Sequence, residues 1–316
     1  VAEADDEVRG AVWLHEHGFW VHGEERRAGW AKYPVSESLV DSAFGGVPAA
    51  MLIKLSREQP LLMALGMGGR AGAFARLLQS MRWSGVDVPF LVRLVRPARV
   101  LRHLRSVRSS AARRAVMDLL AFSGLGWAGW RVVEGVRRLR APHTAPLDVT
   151  VETHFGAWAD EVWERTHRAY GFAAKRDAAM LNTMYPPELP VARLRMRRDG
   201  QDVGWSVVLL RDLRDRPENP FGPLRVGLIA DGMADPADAA AITGAADAHL
   251  TRLGPDLLWS NQLHPAWVAA LEASGYQAAP SQFAMLWSPK MHAALGASAE
   301  RGMHVNRGDC DGPMFG

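Results

Sequence analysis

Two stretches of this chain read as one unit used twice, which constrains the fold more than any single motif. Residues 61–83 run LLMALGMGGRAGAFARLLQSMRW and residues 257–277 run LLWSNQLHPAWVAALEASGYQ. Each opens with a Leu-Leu step in a short apolar run and passes through a Gly-rich or polar break. Each then continues at helical spacing to a close on Arg82-Trp83 or Gly275-Tyr276. An apolar run, a break and an amphipathic stretch spell strand, turn and helix. A chain that writes this twice is built from two related α/β units.

The surroundings of the second stretch extend the unit. LDVTVET (147–153) alternates as a strand does, and residues 157–186 carry helical spacing up to Pro186-Pro187. Residues 191–212 form two alternating runs around Asp199-Gly200, a hairpin signal. LRVGLIADGMA (224–234) is an apolar strand, and Asp235-Pro236 starts a helix over 235–253 with a cap and an N1 proline. Strand DLLWSN, helix HPAWVAALEASG and strand QFAMLWSP complete the order β-α-β-β-β-α-β-α-β. Before the first stretch stand strands over 9–23 and 28–35 and a helix over 47–58, with strand VPFLVRLVRP after it. Aligning Asp41 with Asp235 and Pro97 with Pro289 keeps these elements in register, while the opening strand and helix of the second unit have no counterpart in the first. The expected division is a partial first unit over 1–97, a connector over 98–146, a second unit over 147–290 and a tail over 291–316.

Composition limits the function classes. At 48% hydrophobic and 22% charged, the chain has the material for packed cores. A single cysteine, Cys310, excludes an intramolecular disulfide framework and a cysteine-based zinc site, as expected of a cytoplasmic protein. The start, VAEADDEVRG, is too acidic and polar for a signal peptide. LLAFSGLGWAGWRVV (119–133) is too short and Gly-interrupted for a membrane span. Net charge is only +3, yet the segment from Arg93 to Arg140 holds twelve arginines against Asp118 and Glu134. Its first six arginines recur every three residues and so wind around a helix. A solvated helix is therefore expected, with a surface for phosphates or polyanions as the other possibility.

The order of the second unit, with Asn261 after its strand and a helix ending in Gly275-Tyr276, resembles the GNAT family of acyl-CoA-dependent N-acyltransferases. The resemblance covers about 145 residues well and residues 10–97 partially, and implies two GNAT-like mixed-sheet α/β domains, the first truncated. The tail MHVNRGDCDGP (303–313) is similar to the ending of tandem GNAT-like proteins of bacteria. The activity implied is direct acyl transfer from acyl-CoA, such as acetyl-CoA, to a small-molecule or peptide amine, without a metal. In such folds two parallel strands splay, the pantetheine arm adds to a free strand edge, and a helix N-terminus holds the pyrophosphate. A base takes the amine proton and a backbone N–H steadies the oxyanion.

Carried over residue by residue, the resemblance places catalysis on Asp231 and His264 and cofactor contact on Gly232, Met233, Ala234 and Asn261. Each has a plainer role open to it: Asp231 as a turn residue, His264 and Asn261 as helix caps. The family's pyrophosphate loop, [QR]-x-x-G-x-[GA], is replaced by ADGMADPADA in the second unit, with Asp235 and Asp238 at the helix start. In the first unit DSAFGGVPAA offers Gly45 and Gly46 without the preceding Arg or Gln. The tyrosine that many members use as general acid is Leu271 here, and Leu78 in the first unit. These departures keep two other expectations in play. One is a Fem-like transferase taking aminoacyl-tRNA, the only case in which nucleic acid is expected; the other is a degenerate, non-catalytic pair that binds a partner.

Three further motifs stand outside the resemblance. GMGGRAGAF (66–74) looks like a phosphate cradle, but a lone Gly-rich turn is weak evidence. His15, His17 and His22 alternate along a strand with no acidic or sulfur partner spaced for a metal, and read as core or surface histidines. Asp309 and Asp311 resemble a fragment of a calcium loop without its closing Glu; a tail folding over the site is another use for them.

Overall fold

The structure, a computed structural model, describes residues 1–4, 6–103, 135, 145–216, 219, 221–296 and 302–309. Most of the arginine-rich connector, with Trp127 and Trp130, lies outside these residues, as do Cys310 and Asp311.

The first half contributes strands β1 (Ala2–Ala4), β2 (Glu7–Val21) and β3 (Glu24–Ser36), then helix α1 (Val47–Glu58) and β4 (Leu62–Gly66). It continues with α2 (Ala73–Ser80), β5 (Ser84–Asp87), β6 (Phe90–Leu94) and α3 (Pro97–His103). The second half runs β7 (Asp148–Glu152), α4 (Ala157–Thr166), β8 (Phe172–Ala174), α5 (Ala178–Met184), β9 (Ala192–Arg198), β10 (Gln201–Asp212) and β11 (Arg225–Ala234). It ends with α6 (Ala239–Arg252), β12 (Leu257–Asn261), α7 (Pro265–Ala273), β13 (Gln277–Ala279), β14 (Ala284–Trp287), α8 (Pro289–Leu295) and β15 (Met303–His304). The result is an α/β fold with two mixed sheets, ordered β15-β8-β2-β3-β4-β14-β5 and β13-β6-β12-β11-β10-β9-β7, with β1 paired to β2.

These orders show an exchange. β6 leaves the first half and lies between β12 and β13, whereas β14 leaves the second half and lies between β4 and β5. The two crossing links bond to each other: Val88 N–H donates to Phe283 O at 2.8 Å, and Ser281 Oγ donates to Val88 O at 2.6 Å. Boundaries drawn at 97 and 290 each fall just after an exchanged strand, so neither half closes its own sheet. The edge of the first sheet, for which the first unit has no strands of its own, is supplied by β8 and β15.

The sequence echo is an echo of geometry. After α7, Gly275 takes φ +86° and Tyr276 N–H returns to Leu271 O at 3.0 Å. After α2, Arg82 takes φ +64° and Trp83 N–H returns to Leu78 O at 3.1 Å. Both helices thus end on a left-handed residue followed by a buried aromatic that seals the last turn. The hairpin β9–β10 turns on Asp199 and Gly200, both with positive φ, as a tight turn between twisted strands requires.

One expected element is divided. The helical spacing over 157–186 is realised as α4 and α5 with β8 between them, and β8 pairs with β2 and β15 of the first sheet. All of β8 is buried, so the edge of a foreign sheet outcompetes continuation of the helix. The start of the arginine run is likewise taken up internally. Arg93 is buried against Asp247, its Nη2 2.9 Å from a carboxylate oxygen and 2.6 Å from Thr251 Oγ1. Arg96 and Arg99 flank the buried Asp256 at 3.7 and 3.3 Å. These three arginines do not form a docking strip. Among the described residues no helix is long and apolar enough to cross a membrane.

Candidate functional site

Each sheet contains one place where neighbouring parallel strands part. In the second sheet β11 and β12 pair from Val226↔Leu257 to Ile229↔Ser260, and β11 then continues to Ala234 on β10 without β12. A bulge starts the divergence: Val208 faces Ile229 and Val207 faces Asp231, leaving Ala230 extra. In the first sheet β3 and β4 pair only at Gly29↔Leu62 and Trp30↔Met63, and β3 then runs on to Ser36.

The junction in the second sheet is closed by the chain itself. Tyr170 Oη donates to Ala234 O at 2.7 Å and accepts Trp267 Nε1 at 2.9 Å. Trp267 lies over Gly232, where a Cβ would meet its ring at 3.4 Å. His304 packs edge-on against Tyr170 and Trp267, with ring centroids at 4.8 and 5.6 Å. Gly232, Met233 and Ala234 are therefore buried behind side chains, with Met233 in the core. The turn after them is satisfied as well: Asp235 accepts Ala237 N–H at 2.9 Å and Asp238 pairs with Arg198 at 2.8 Å. Two carboxylates at a helix start repel phosphate.

Asp231 occupies the centre of a buried network. One carboxylate oxygen accepts Gly232 N–H at 2.9 Å and Asn306 Nδ2 at 2.8 Å; the other accepts Arg176 Nε at 2.9 Å and Tyr185 Oη at 2.7 Å. Arg176 also holds Asp309 at 2.7 Å, and Asp309 accepts Asn306 N–H at 2.7 Å. Burial disfavours the Arg176 charge, but Asp231 and Asp309 outweigh it and hold the guanidinium protonated. Burial lifts the Asp309 carboxyl to about 6, with Arg176 opposing and Asp231 adding to the rise. With four donors on Asp231, no lone pair remains for a substrate amine. Here it anchors the tail, and Asp309 is part of that anchor.

His264 and Asn261 also bond within the chain. His264 is the N-cap of α7, its Nδ1 accepting Ala266 N–H at 3.3 Å, and burial lowers its pKa. Asn261 donates to Pro89 O at 3.4 Å and accepts Arg307 Nη1 at 3.2 Å.

The junction in the first sheet differs. The Trp30↔Met63 pair is the last between β3 and β4 among the described residues, and from Lys32 on β3 has no partner on that side. Helix α1 starts at Gly46 with no side-chain cap and no acid in its first turn. A Cβ on Gly46 would stand in open space. The Gly-rich turn 66–72 does fall between β4 and α2, where the repeat puts it. Its residues Gly66, Met67, Gly68 and Gly69 all have positive φ, and Gly69 backs onto Gln282 within 3.3 Å, so backbone conformation, and close packing at Gly69, account for its glycines.

Two histidines of β2 face this junction. Trp30 Nε1 donates to His17 Nε2 at 3.1 Å, and His17 Nδ1 donates to Gly18 O at 3.0 Å. Burial, then the Arg176 charge, push its pKa to about 3, so both nitrogens are engaged and the ring stays neutral. His15, directly across from Trp30, is half-buried; burial and then Lys32 lower its pKa, leaving a neutral imidazole at pH 7. Strand alternation placed both histidines on one face. Nothing in the sequence marked that face as the one beside the open junction.

No protein-family model matches the chain, and no curated protein matches it by sequence. Solved structures do match its fold. A GCN5-related N-acetyltransferase from Anabaena variabilis superposes over 90% of this chain and 60% of its own, with TM-score 0.53 and 10% identity. Saccharomyces cerevisiae N-myristoyltransferase with bound myristoyl-CoA and inhibitors covers 90% of this chain and 65% of its own, with TM-score 0.50 and 10% identity. The chain thus spans under two thirds of the length of these structures. It has the fold of the GCN5-related N-acetyltransferases.

Proposed function

We propose that the protein is an acyl-CoA-dependent N-acyltransferase that holds the thioester arm in the first sheet. The observation that carries this is the pairing of an open strand edge, Lys32 to Ser36, with an uncapped, acid-free helix start at Gly46. The pantetheine amides would bond to the free edge as an added strand, and the pyrophosphate would meet the first N–H groups of α1. An acceptor amine attacks the thioester carbon, the C–N bond forms and the C–S bond breaks. His15, neutral and with no hydrogen bond to its ring among the described residues, takes the proton that the nitrogen sheds and returns it to the leaving sulfur. The closed second junction suits a half that supports the site and walls the acceptor.

Thermal unfolding with CoA and acetyl-CoA is the test. Binding to the folded state raises Tm with dose, by about 2.7 kcal/mol of added stability at a hundredfold excess over Kd. Gly46→Asp sets a carboxylate where the pyrophosphate would lie, at a position where an added side chain meets open space. The variant should keep its Tm without ligand and lose at least tenfold in CoA affinity. No rise in the parent at millimolar CoA sinks the proposal, and an unchanged rise in Gly46→Asp removes the first sheet from it.

A further inference from the structure

We infer that the acceptor is an amine that also carries a carboxylate and an apolar group, in the manner of an apolar amino acid or the residue of a short peptide. This rests on the function proposed above and names its substrate class.

Alternation puts Trp13, His15, His17 and Phe19 on one face of β2. Phe19 is fully buried in the core and His17 nearly so, while Trp13 is 67% exposed. Across the ladder, Trp13 lies opposite Lys32, His15 opposite Trp30, and Ala11 opposite Val35, which is 57% exposed. Lys32 sits two residues past the last β3–β4 pair, on the stretch of β3 that has left its parallel neighbour. A large apolar ledge, a cation and a neutral imidazole therefore stand side by side at the mouth of the open junction. Paired strands lie about 5 Å apart.

Each part asks something of a ligand. Among the described residues no carboxylate bonds to Lys32, although its charge is felt at both His15 and His17. A part-buried lysine paired across the ladder with Trp13 suits an anion placed next to an apolar group. An indole left two-thirds exposed next to a functional strand edge marks a contact surface rather than core. The imidazole lies one strand position further in, toward the thioester. A carboxylate on Lys32 and an apolar side chain on Trp13 and Val35 orient the amine between them toward His15. Aliphatic amines without a carboxylate fill only the ledge, and small amino acids only the cation.

Matched amines test this. With acetyl-CoA as donor and released thiol as the readout, phenylalanine and leucine should exceed phenethylamine and 3-methylbutylamine by at least tenfold in kcat/KM. Lys32→Gln should shrink that preference to within about twofold while keeping the CoA-induced rise in Tm. Trp13→Ala should lower the values for phenylalanine and leucine and spare that for glycine. Thermal shifts by the same amines, taken without CoA, read the acceptor site independently of transfer. A CoA-dependent rise together with equal treatment of the matched amines, in turnover or in thermal shift, overturns the inference and leaves the acyltransferase standing. Amine discrimination without any response to CoA does the opposite.

Discussion

The two strand junctions start from similar parts and end in opposite states. In both sheets a buried parallel pair opens after a few residues and is followed by a helix that ends on a left-handed residue and a buried aromatic. In the second sheet the gap is filled by Tyr170, Trp267 and His304, and the helix start beyond it carries Asp235 and Asp238. In the first sheet the corresponding helix start is bare and β3 keeps a free edge. Two sheets built from similar parts can keep the opening in only one, because closing a junction costs only a few side chains. What the closed half gains is an anchor for the rest of the chain. The tail that reaches Asp231 also supplies β15 to the edge of the first sheet.

The sharpest way to break this comparison is at Asp231. If its carboxylate is the hub of the tail anchor, Asp231→Ala leaves Arg176 buried with one partner fewer and costs about 3–5 kcal/mol, the usual effect of breaking a buried pair. Asp231→Asn should also lower the denaturation midpoint, with any loss of turnover following the loss of folded protein. A catalytic base would behave otherwise: Asp231→Asn would cut turnover by about 10²–10⁴ and leave the midpoint where it was. Chemical denaturation of both variants beside initial rates separates the two.

A smaller effect comes from the histidines that line the seam between the halves. His17 and His304 are both held near 3 in the folded state, chiefly by burial, against an ordinary value of 6.5. Folding depresses them, so the neutral rings contribute stability that is complete above pH 6.5 and is lost as pH falls toward 3. Each contributes about 1.4 kcal/mol per pH unit once well below 6.5. Asp309 has the opposite sign. Its pKa is raised, so its share improves as pH drops from 6 toward 4, and it offsets only part of one histidine. Stability should fall steadily from pH 6.5 to 4.5, and the double variant His17→Gln, His304→Gln should flatten that slope. An unchanged slope in the variant would place the acid sensitivity elsewhere.

Much of the fold was legible because it is written in local chemistry. The Asp199-Gly200 turn, the Asp235-Pro236 start and the two Leu-Leu strands all announce themselves through backbone preference or burial. The match of Pro97 to Pro289 even aligned the two strands that turn out to be exchanged. The exchange itself was not legible. FLVRL and AMLW declare that they are strands packed on both faces, one alternating buried and part-buried and the other wholly buried, but such a strand carries no address, and either sheet offers the same ladder. β8 was hidden for the reverse reason: AYGFAAKRD sits at helix-compatible spacing, and only the empty edge of the other sheet draws it out. For the site, sequence reasoning singled out Asp231, His264 and Asn261 because the family pattern points at the second unit. It read His15 as a core or surface histidine and did not single out Lys32, since the roles proposed for them depend on which junction is open, a tertiary fact.

The mildest test concerns Asn261, whose side chain links Pro89 beside the crossing point to Arg307 of the tail. One of these bonds is long at 3.4 Å and the other runs to a partly buried guanidinium at 3.2 Å. Asn261→Ala should therefore cost only about 1 kcal/mol of stability, the ordinary net worth of a hydrogen bond. The rise in Tm on adding CoA should be the same in variant and parent, because the thioester arm is assigned to the other sheet. A variant of unchanged stability with CoA affinity down tenfold would reverse that assignment. It would mean that Tyr170 and Trp267 move aside when the nucleotide binds, and that the second junction, closed in this structure, is the one that works.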